Sequence, residues 1–282
     1  MRTSPLPPQF KQKIPKGNVF FRLTESLKEN RLHTVCEEAK CPNRTDCYHR
    51  GTLAFQILGD ICTRHCAFCG EKSGNPNPID PTEPKRLLEA VQKLKLNHVV
   101  ITSPARDDLS DSGASVFTES VSILKNNLKN VTVEVLIGDL KGEINSLKEI
   151  LDSQPDILNH NIETVKRLTP QVRLKATYEV SLKVLKFSST YSKAYKVKSG
   201  LMVGLGETME EIFKTVEDLF NSGVQFLTIG QYLQPSFDHM PVRKFYSTDE
   251  FSQIKQFAEK IGFEKIFCSP LVRSSFHADE MI

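Results

Sequence analysis

The sequence predicts an α/β protein built on a parallel sheet, and three observations predict it. Short apolar, β-branched runs recur from about residue 53 onward. A helical pattern with its own start and stop signals separates each run from the next. Runs of this length and composition suit parallel strands covered on both faces. Roughly six β/α units in series define a parallel barrel or an open doubly wound sheet. In either, chemistry gathers at the C-terminal ends of the strands.

The strand candidates run in order: LAFQILG (53–59), HVVIT (98–102), VTVEVLI (131–137), DILNH (156–160), KVKSGLMV (196–203) and QFLTIG (225–230). KIFCS (265–269) is a further candidate. Among the helices, Thr82 precedes Glu83 and Pro84 and then LLEAVQKL, with apolar residues three and four apart. Thr208 precedes EEIFKTVEDLF, and Gly223 stands where that helix should stop. Ser247 and Thr248 precede DEFSQIKQFAEKIG, which ends at Gly262. A mildly basic stretch from Lys183 to Lys198 alternates with apolar residues and reads as a helix with solvated lysines. The first fifty residues hold a Pro- and Lys-containing extended arm, one helical stretch (VFFRLTESLKEN) and a group of cysteines. The last residues, SPLVRSSFHADEMI, read as a tail outside the repeating units. The expected organisation is therefore an N-terminal extension (1–50), a β/α body (51–262) and a C-terminal segment (263–282).

The 282 residues are 39% hydrophobic and 25% charged, with net charge +3, the profile of a globular protein with no signature of nucleic-acid binding. No segment reaches the roughly 18–20 apolar residues a membrane span needs. The N-terminus lacks the apolar core of a secretion signal, and Pro5, Pro7 and Pro8 spoil an amphipathic organelle address, so the cytoplasm is expected. In such a reducing compartment seven cysteines point to metal or catalysis rather than disulfides.

Six of the seven fall into two triplets. Cys62, Cys66 and Cys69 form C-x3-C-x2-C directly after the first strand, with Phe68 as an apolar neighbour. Three thiolates on one tight loop hold three irons of a four-iron cubane and leave the fourth open. An open iron accepts the amino and carboxylate groups of an amino acid, and S-adenosylmethionine is the ligand that turns this into radical chemistry. Zinc favours four ligands and C-x2-C pairs, so it fits less well. Cys36, Cys41 and Cys47 form a second triplet, C-x4-C-x5-C, which alone suits a zinc or redox site and beside the first reads as an auxiliary cluster one ligand short. Cys268, in a strand candidate, reads as a small buried hydrophobe.

TVCEEAKCPNRTDC, GDICTRHCAFC, LMVGLGET, GQYLQPSFDHMPV and PLVRSSFHA, in that order from about residue 20 to 279, resemble the lipoyl synthases, radical S-adenosylmethionine enzymes. The resemblance implies a partial parallel (β/α)6 TIM-type barrel with cluster-binding extensions at both ends. It implies insertion of sulfur at C6 and C8 of an octanoyl group on a lysine of a lipoyl carrier domain. Those carriers would be 2-oxoacid dehydrogenase E2 subunits or the glycine cleavage H protein, with a ferredoxin or flavodoxin as electron donor. It assigns Cys62, Cys66 and Cys69 to a [4Fe-4S] cluster that binds S-adenosylmethionine, and Cys36, Cys41 and Cys47 to an auxiliary [4Fe-4S] cluster that donates sulfur. Ser275 would complete that auxiliary cluster, with Ser274 the alternative. A hydroxyl suits iron–sulfur chemistry less well than a thiolate, so an oxygen ligand fits a sacrificial cluster.

Other candidates are Gly200, Gly204 and Gly206, for adenine contact or a simple turn, and Asn161 and Glu163, for ribose hydroxyls. In SPARDDLSDSGA (103–114), Ser103 and Arg106 are candidates for the cofactor's surroundings, Arg106 by pairing with a carboxylate or the cluster's negative charge. Asp107 and Asp108 could instead cap the next helix. Arg273 would orient the tail, while His65 and His277 read as ordinary satisfied histidines. The sequence departs from the family at SPARDD (for SVDRDD), FCGEKSG (for FCAVKTG) and Phe276 (for tyrosine). Three rival readings are a radical enzyme with another product, a two-cluster electron-transfer protein and a zinc-bound interaction module.

Overall fold

The computed structural model describes residues 7, 10 and 19–281, so most of the expected N-terminal arm lies outside the described residues. An eight-stranded sheet organises the chain. Its strands are β1 (His33–Thr34), β2 (Ala54–Gln56), β5 (His98–Thr102), β6 (Thr132–Leu136), β7 (Ile157–Asn159), β8 (Lys196–Val203), β9 (Phe226–Gln231) and β10 (Lys265–Cys268), in that spatial order. The two short strands β3 (Ile61–Cys62) and β4 (Lys72–Ser73) pair separately. β2 and β5 to β10 are all parallel, and only β1 runs antiparallel, along β2.

The helices are α1 (Val19–Glu29), α2 (Val35–Glu38), α3 (Arg44–His49), α4 (Glu83–Leu94), α5 (Ala114–Asn127), α6 (Ile144–Asp152), α7 (Thr169–Val172), α8 (Tyr178–Tyr191), α9 (Met209–Asn221) and α10 (Thr248–Ile261). Between β2 and β10 the chain makes six β/α units and finishes on a seventh parallel strand, so the KIFCS candidate joins the main sheet. The sheet is open, with β1 and β10 at its edges. β1 comes from the N-terminal extension and β10 from the C-terminal segment, so all three regions contribute to one sheet.

Both faces of the strands are buried, as expected for a parallel sheet. Val99, Ile101, Val133, Val135 and Leu158 face the helices in the main core. The opposite face looks into the barrel and carries polar groups. Lys198 is fully buried there, 3.0 Å from Glu134 Oε2, and Asn159 donates to Glu134 Oε1 at 2.7 Å. This corrects the reading of Lys183–Lys198 as one solvated helix: α8 stops at Tyr191, and the inward register of β8 takes Lys198 out of water. Its charge is tolerated because both oxygens of the Glu134 carboxylate accept from it inside.

The predicted helix signals are met by visible bonds. Thr208 with Glu211, and Ser247 with Glu250, form reciprocal caps at the starts of α9 and α10. Gly262 ends α10 at φ 113°, a conformation side chains resist. No helix among the described residues is long and apolar enough to cross a membrane.

The two extensions meet. Thr34 and Tyr48 share a 2.6 Å hydrogen bond that ties β1 to α3. The C-terminal tail leaves β10 and crosses the end of β9, where a Cβ on Gly230 would lie 1.9 Å from the carbonyl oxygen of Val272. Asn43 Nδ2 then donates to Leu271 O at 2.5 Å, and Ala278 packs between Ala54 and Val100. The tail therefore runs from one side of the open sheet to the other, beside the N-terminal cysteines.

Candidate active site

The first cysteine loop has almost no regular structure, so its shape depends on tethers. β2 ends at Gln56, and the chain turns through Leu58 (φ 67°) and Gly59 (φ 86°) before β3. Thr63 N–H donates to Ala105 O at 2.9 Å, Ala67 N–H to Val172 O at 3.0 Å and Gly74 N–H to Cys62 O at 2.9 Å. From above, Met240 N–H donates to Ala67 O at 2.9 Å. His239 Nε2 donates to Cys69 O at 2.8 Å, and its Nδ1 then accepts from Ser236 Oγ at 2.8 Å. His239 was missed because nothing in PSFDHMPV marks a contact to a loop 170 positions away.

All six cysteines of the two triplets line one cavity of about 530 Å³. Cys36 sits in α2, Cys41 in the turn after it, where its N–H donates to Cys36 O at 3.1 Å, and Cys47 in α3. Ser274 and Ser275 line the same cavity from the tail. The Ser275 hydroxyl is buried and has no hydrogen-bond partner among the described residues. An orphaned polar atom beside three thiols is what a ligand position for a metal cluster requires. Arg273, half-buried, donates to Val272 O at 2.7 Å, and desolvation lowers its pKa, with Cys41 opposing.

Burial raises every one of these thiols: Cys36 to about 12, and Cys41, Cys47, Cys62, Cys66 and Cys69 also upward. Such thiols keep their protons unless a cation replaces them, which fits metal ligands and not free nucleophiles. Among the described residues no three thiol sulfurs converge within 4.8 Å. A tetrahedral zinc would want its sulfurs about 3.8 Å apart, since Zn–S is ~2.3 Å. The donor set and its spread suit a larger, thiolate-bound cluster.

Asn161 and Glu163, after β7, line the cavity, as does Ser103 after β5. Asn161 Oδ1 is buried without a partner among the described residues. Gly200 makes room for it, since a Cβ there would lie 2.6 Å from that oxygen. Glu163 takes a left-handed backbone (φ 66°) that bridges to Leu201, and burial raises its carboxyl pKa. His160 was not singled out from sequence. Its Nδ1 donates to Ile137 O at 3.0 Å, leaving a buried, unpartnered Nε2, and burial lowers its pKa to about 4, so the ring is neutral.

Three expectations are corrected. Gly204 and Gly206 do not line the cavity. A Cβ on Gly204 (φ 112°) would meet Gln231 Nε2 at 2.0 Å, so the protein's own chain needs that space. Gly206 turns toward Arg243. Arg106 is also outside the cavity: it is buried, pairs with Asp108 at 2.8 Å and donates to Leu58 O at 3.0 Å, bracing the turn after β2. Neither Asp107 nor Asp108 caps α5; Asp111 does so, accepting from Gly113 and Ser115 N–H. His65 bonds to Ser73 and His277 pairs with Glu280, as ordinary histidines do. Cys268, half-buried, donates to Phe251 O at 3.3 Å away from the cavity.

Glu71, at one of the departures from the family pattern, lines the cavity, and among the described residues no cation offsets its charge. Burial, then Glu38 and Asp60, raise its pKa from 4.5 to about 7. The folded carboxyl keeps its proton until about pH 7, whereas the unfolded one loses it near 4.5. Stability of the metal-free protein therefore falls as pH rises through that window and stays low above it. Glu71→Gln removes this loss, on the order of 3 kcal/mol. Thermal melts should show Tm raised by several degrees at pH 8 and little changed at pH 4.

A parallel barrel with a three-thiol loop at its C-terminal end defines a radical S-adenosylmethionine protein, and a model of that superfamily matches residues 57–219. Two solved structures share the fold: methylornithine synthase, with TM-score 0.59 and 16% identity over 89% of this chain and 75% of that one, and Streptococcus suis SuiB bound to S-adenosylmethionine, with TM-score 0.58 and 11% identity over 80% and 53%. A model of the N-terminal domain of lipoyl synthase matches residues 2–41. Lipoyl synthase of Halalkalibacterium halodurans is 48% identical over 98% of this chain and 91% of its own length. That of Geobacillus kaustophilus is 49% identical over 98% and 93%. The chain belongs to the lipoyl synthase family. It is a radical enzyme of the sulfurtransferase class, and its superfamily carries a [4Fe-4S] cluster and uses S-adenosylmethionine.

Proposed function

We propose that this chain holds two [4Fe-4S] clusters in one chamber and uses one of them as the sulfur source for two insertions, at C6 and C8 of an octanoyl-lysyl arm. The observation that carries the reading is the shared cavity, lined by both cysteine triplets and by the unpartnered Ser275 hydroxyl. Cys62, Cys66 and Cys69 hold the cluster that, when bound, supplies the electron for cleaving S-adenosylmethionine and so the means of removing an unactivated hydrogen atom. Asn161, with its free Oδ1, Glu163 and Ser103 provide acceptors for the polar groups of the bound nucleoside and amino acid. Cys36, Cys41, Cys47 and Ser275 hold the cluster consumed as substrate, Ser275 as the oxygen ligand that leaves. Placing both metal sites on one chamber keeps the activated carbon within reach of sulfur, and proximity governs such a step.

In this reading residues 1–50 and 263–282 bring the auxiliary site, and residues 51–262 are the radical body. The carriers are octanoylated lipoyl domains of 2-oxoacid dehydrogenase E2 subunits or the glycine cleavage H protein. A ferredoxin or flavodoxin supplies electrons, in the cytoplasm, where thiols stay reduced.

Anaerobic reconstitution tests the reading. The protein should take up about eight irons, as two cubanes require. With reductant, S-adenosylmethionine and an octanoyl-lysyl peptide it should yield 5′-deoxyadenosine and a dithiolane. Deoxyadenosine with no sulfur on the peptide would leave a radical enzyme and overturn the substrate. Eight irons with no cleavage of S-adenosylmethionine would favour an electron-transfer protein.

A further inference from the structure

We propose that Arg64 is a positioning residue that clamps the Cys62–Cys69 loop to the ends of β5 and β6 and thereby sets how the first cluster receives S-adenosylmethionine; this rests on the reading just given.

Arg64 lies between Cys62 and Cys66, and its backbone N–H points at Cys62 Sγ at 3.4 Å. Its guanidinium makes two forks at once. Nε and Nη2 donate to Asp107 Oδ2 and Oδ1 at 2.9 and 2.7 Å. Nη1 and Nη2 donate to Asp139 Oδ2 and Oδ1 at 2.9 and 2.8 Å. The three side chains are largely removed from water, at 9%, 16% and 2% exposure for Arg64, Asp107 and Asp139. The Asp139 carboxylate is itself fixed, Oδ1 accepting from Lys141 N–H at 3.1 Å, and the backbone of Asp107 is held by its N–H donating to Thr63 Oγ1 at 3.0 Å.

A buried charge triad of this geometry has a positional effect. The regular structure of the loop is only the β3–β4 pair, and β4 is exposed. Four charge-assisted bonds from its second residue after β3 are thus its strongest anchor to the barrel. Arg64 and Asp139 also form the wall between the main cavity and a second one of about 350 Å³, lined by Lys141 and Lys175. Lysine cannot replace the planar fork, because one ammonium does not bridge two carboxylates bidentately. The clamp touches the first triplet alone; the second is held by α2, α3 and the tail.

The test compares reconstituted wild type with Arg64→Lys, and with Asp139→Asn as a second variant that keeps shape and removes one charge. Iron content, the electron paramagnetic resonance signal of each reduced cluster with and without S-adenosylmethionine, and deoxyadenosine formation against S-adenosylmethionine concentration are recorded. Arg64→Lys should keep both clusters, leave the auxiliary signal as it is and diminish the change that S-adenosylmethionine induces in the other. Its KM for S-adenosylmethionine should rise, and cleavage at fixed concentration fall, by roughly 10–100-fold, the usual cost of an outer-shell partner. Asp139→Asn should lie between. A responsive wild type with an equally responsive Arg64→Lys overturns the clamp alone. Loss of both clusters together in Arg64→Lys makes Arg64 a general structural residue and also overturns it. A wild type that does not respond to S-adenosylmethionine overturns the functional reading, and the clamp with it.

Discussion

Cys66→Ala should abolish cleavage of S-adenosylmethionine while leaving the auxiliary cluster in place. Cys66 is the middle thiol of a loop whose backbone is already pinned, by Cys69 N–H to Cys66 O at 3.1 Å and by Ala67 N–H to Val172 O. Removing its sulfur leaves two protein ligands for a cubane that here has only three, and no other cysteine is on that loop. Iron content should drop from about eight to about four per chain. Deoxyadenosine should fall by more than the roughly 10–100-fold that losing an outer-shell partner costs. Fold loss would be a poor explanation, because Cys66 is half-buried at the cavity wall and outside the main core. Retained deoxyadenosine formation in the variant would remove the first triplet from the chemistry.

Cys41→Ala should give the complementary result: deoxyadenosine forms, and the peptide gains no sulfur. Cys41 stands in the turn between α2 and α3, away from the first loop's tethers. The neighbouring fold rests on the Thr34–Tyr48 bond and on Tyr48, which is buried in the main core, so it survives without this thiol. Iron should again fall to about four. Sulfur insertion with about four irons would exclude the second triplet as donor. Together the two variants separate the radical step from the sulfur step.

How much of this was legible beforehand follows from the range of each signal. The triplets were legible because the thiols of each sit close in sequence, and close spacing is what a shared metal site requires. The caps of α9 and α10 were legible because Thr208 with Glu211, and Ser247 with Glu250, satisfy each other within one turn. The proposed adenosyl site was half legible. Asn161, Glu163 and Ser103 follow strands at the expected end and line the cavity, but Gly204 and Arg106, chosen by the same rule, serve the chain's own packing. Position after a strand names the right end of a barrel without saying which way a side chain turns.

The sequence by itself determined the β/α order, the helix ends, the two sets of three thiols and the family. Each of these is carried by residues within about one element of one another. Only the tertiary structure decided that Asn43 ties the tail to the turn holding Cys41, that His239 closes over Cys69, and that Arg64 finds both Asp107 and Asp139. It also decided that Lys198 points inward to Glu134. The physical reason is that such contacts join segments 43 to more than 200 positions apart. Burial and pairing select them after the sheet has formed, and they leave no periodic trace in the chain.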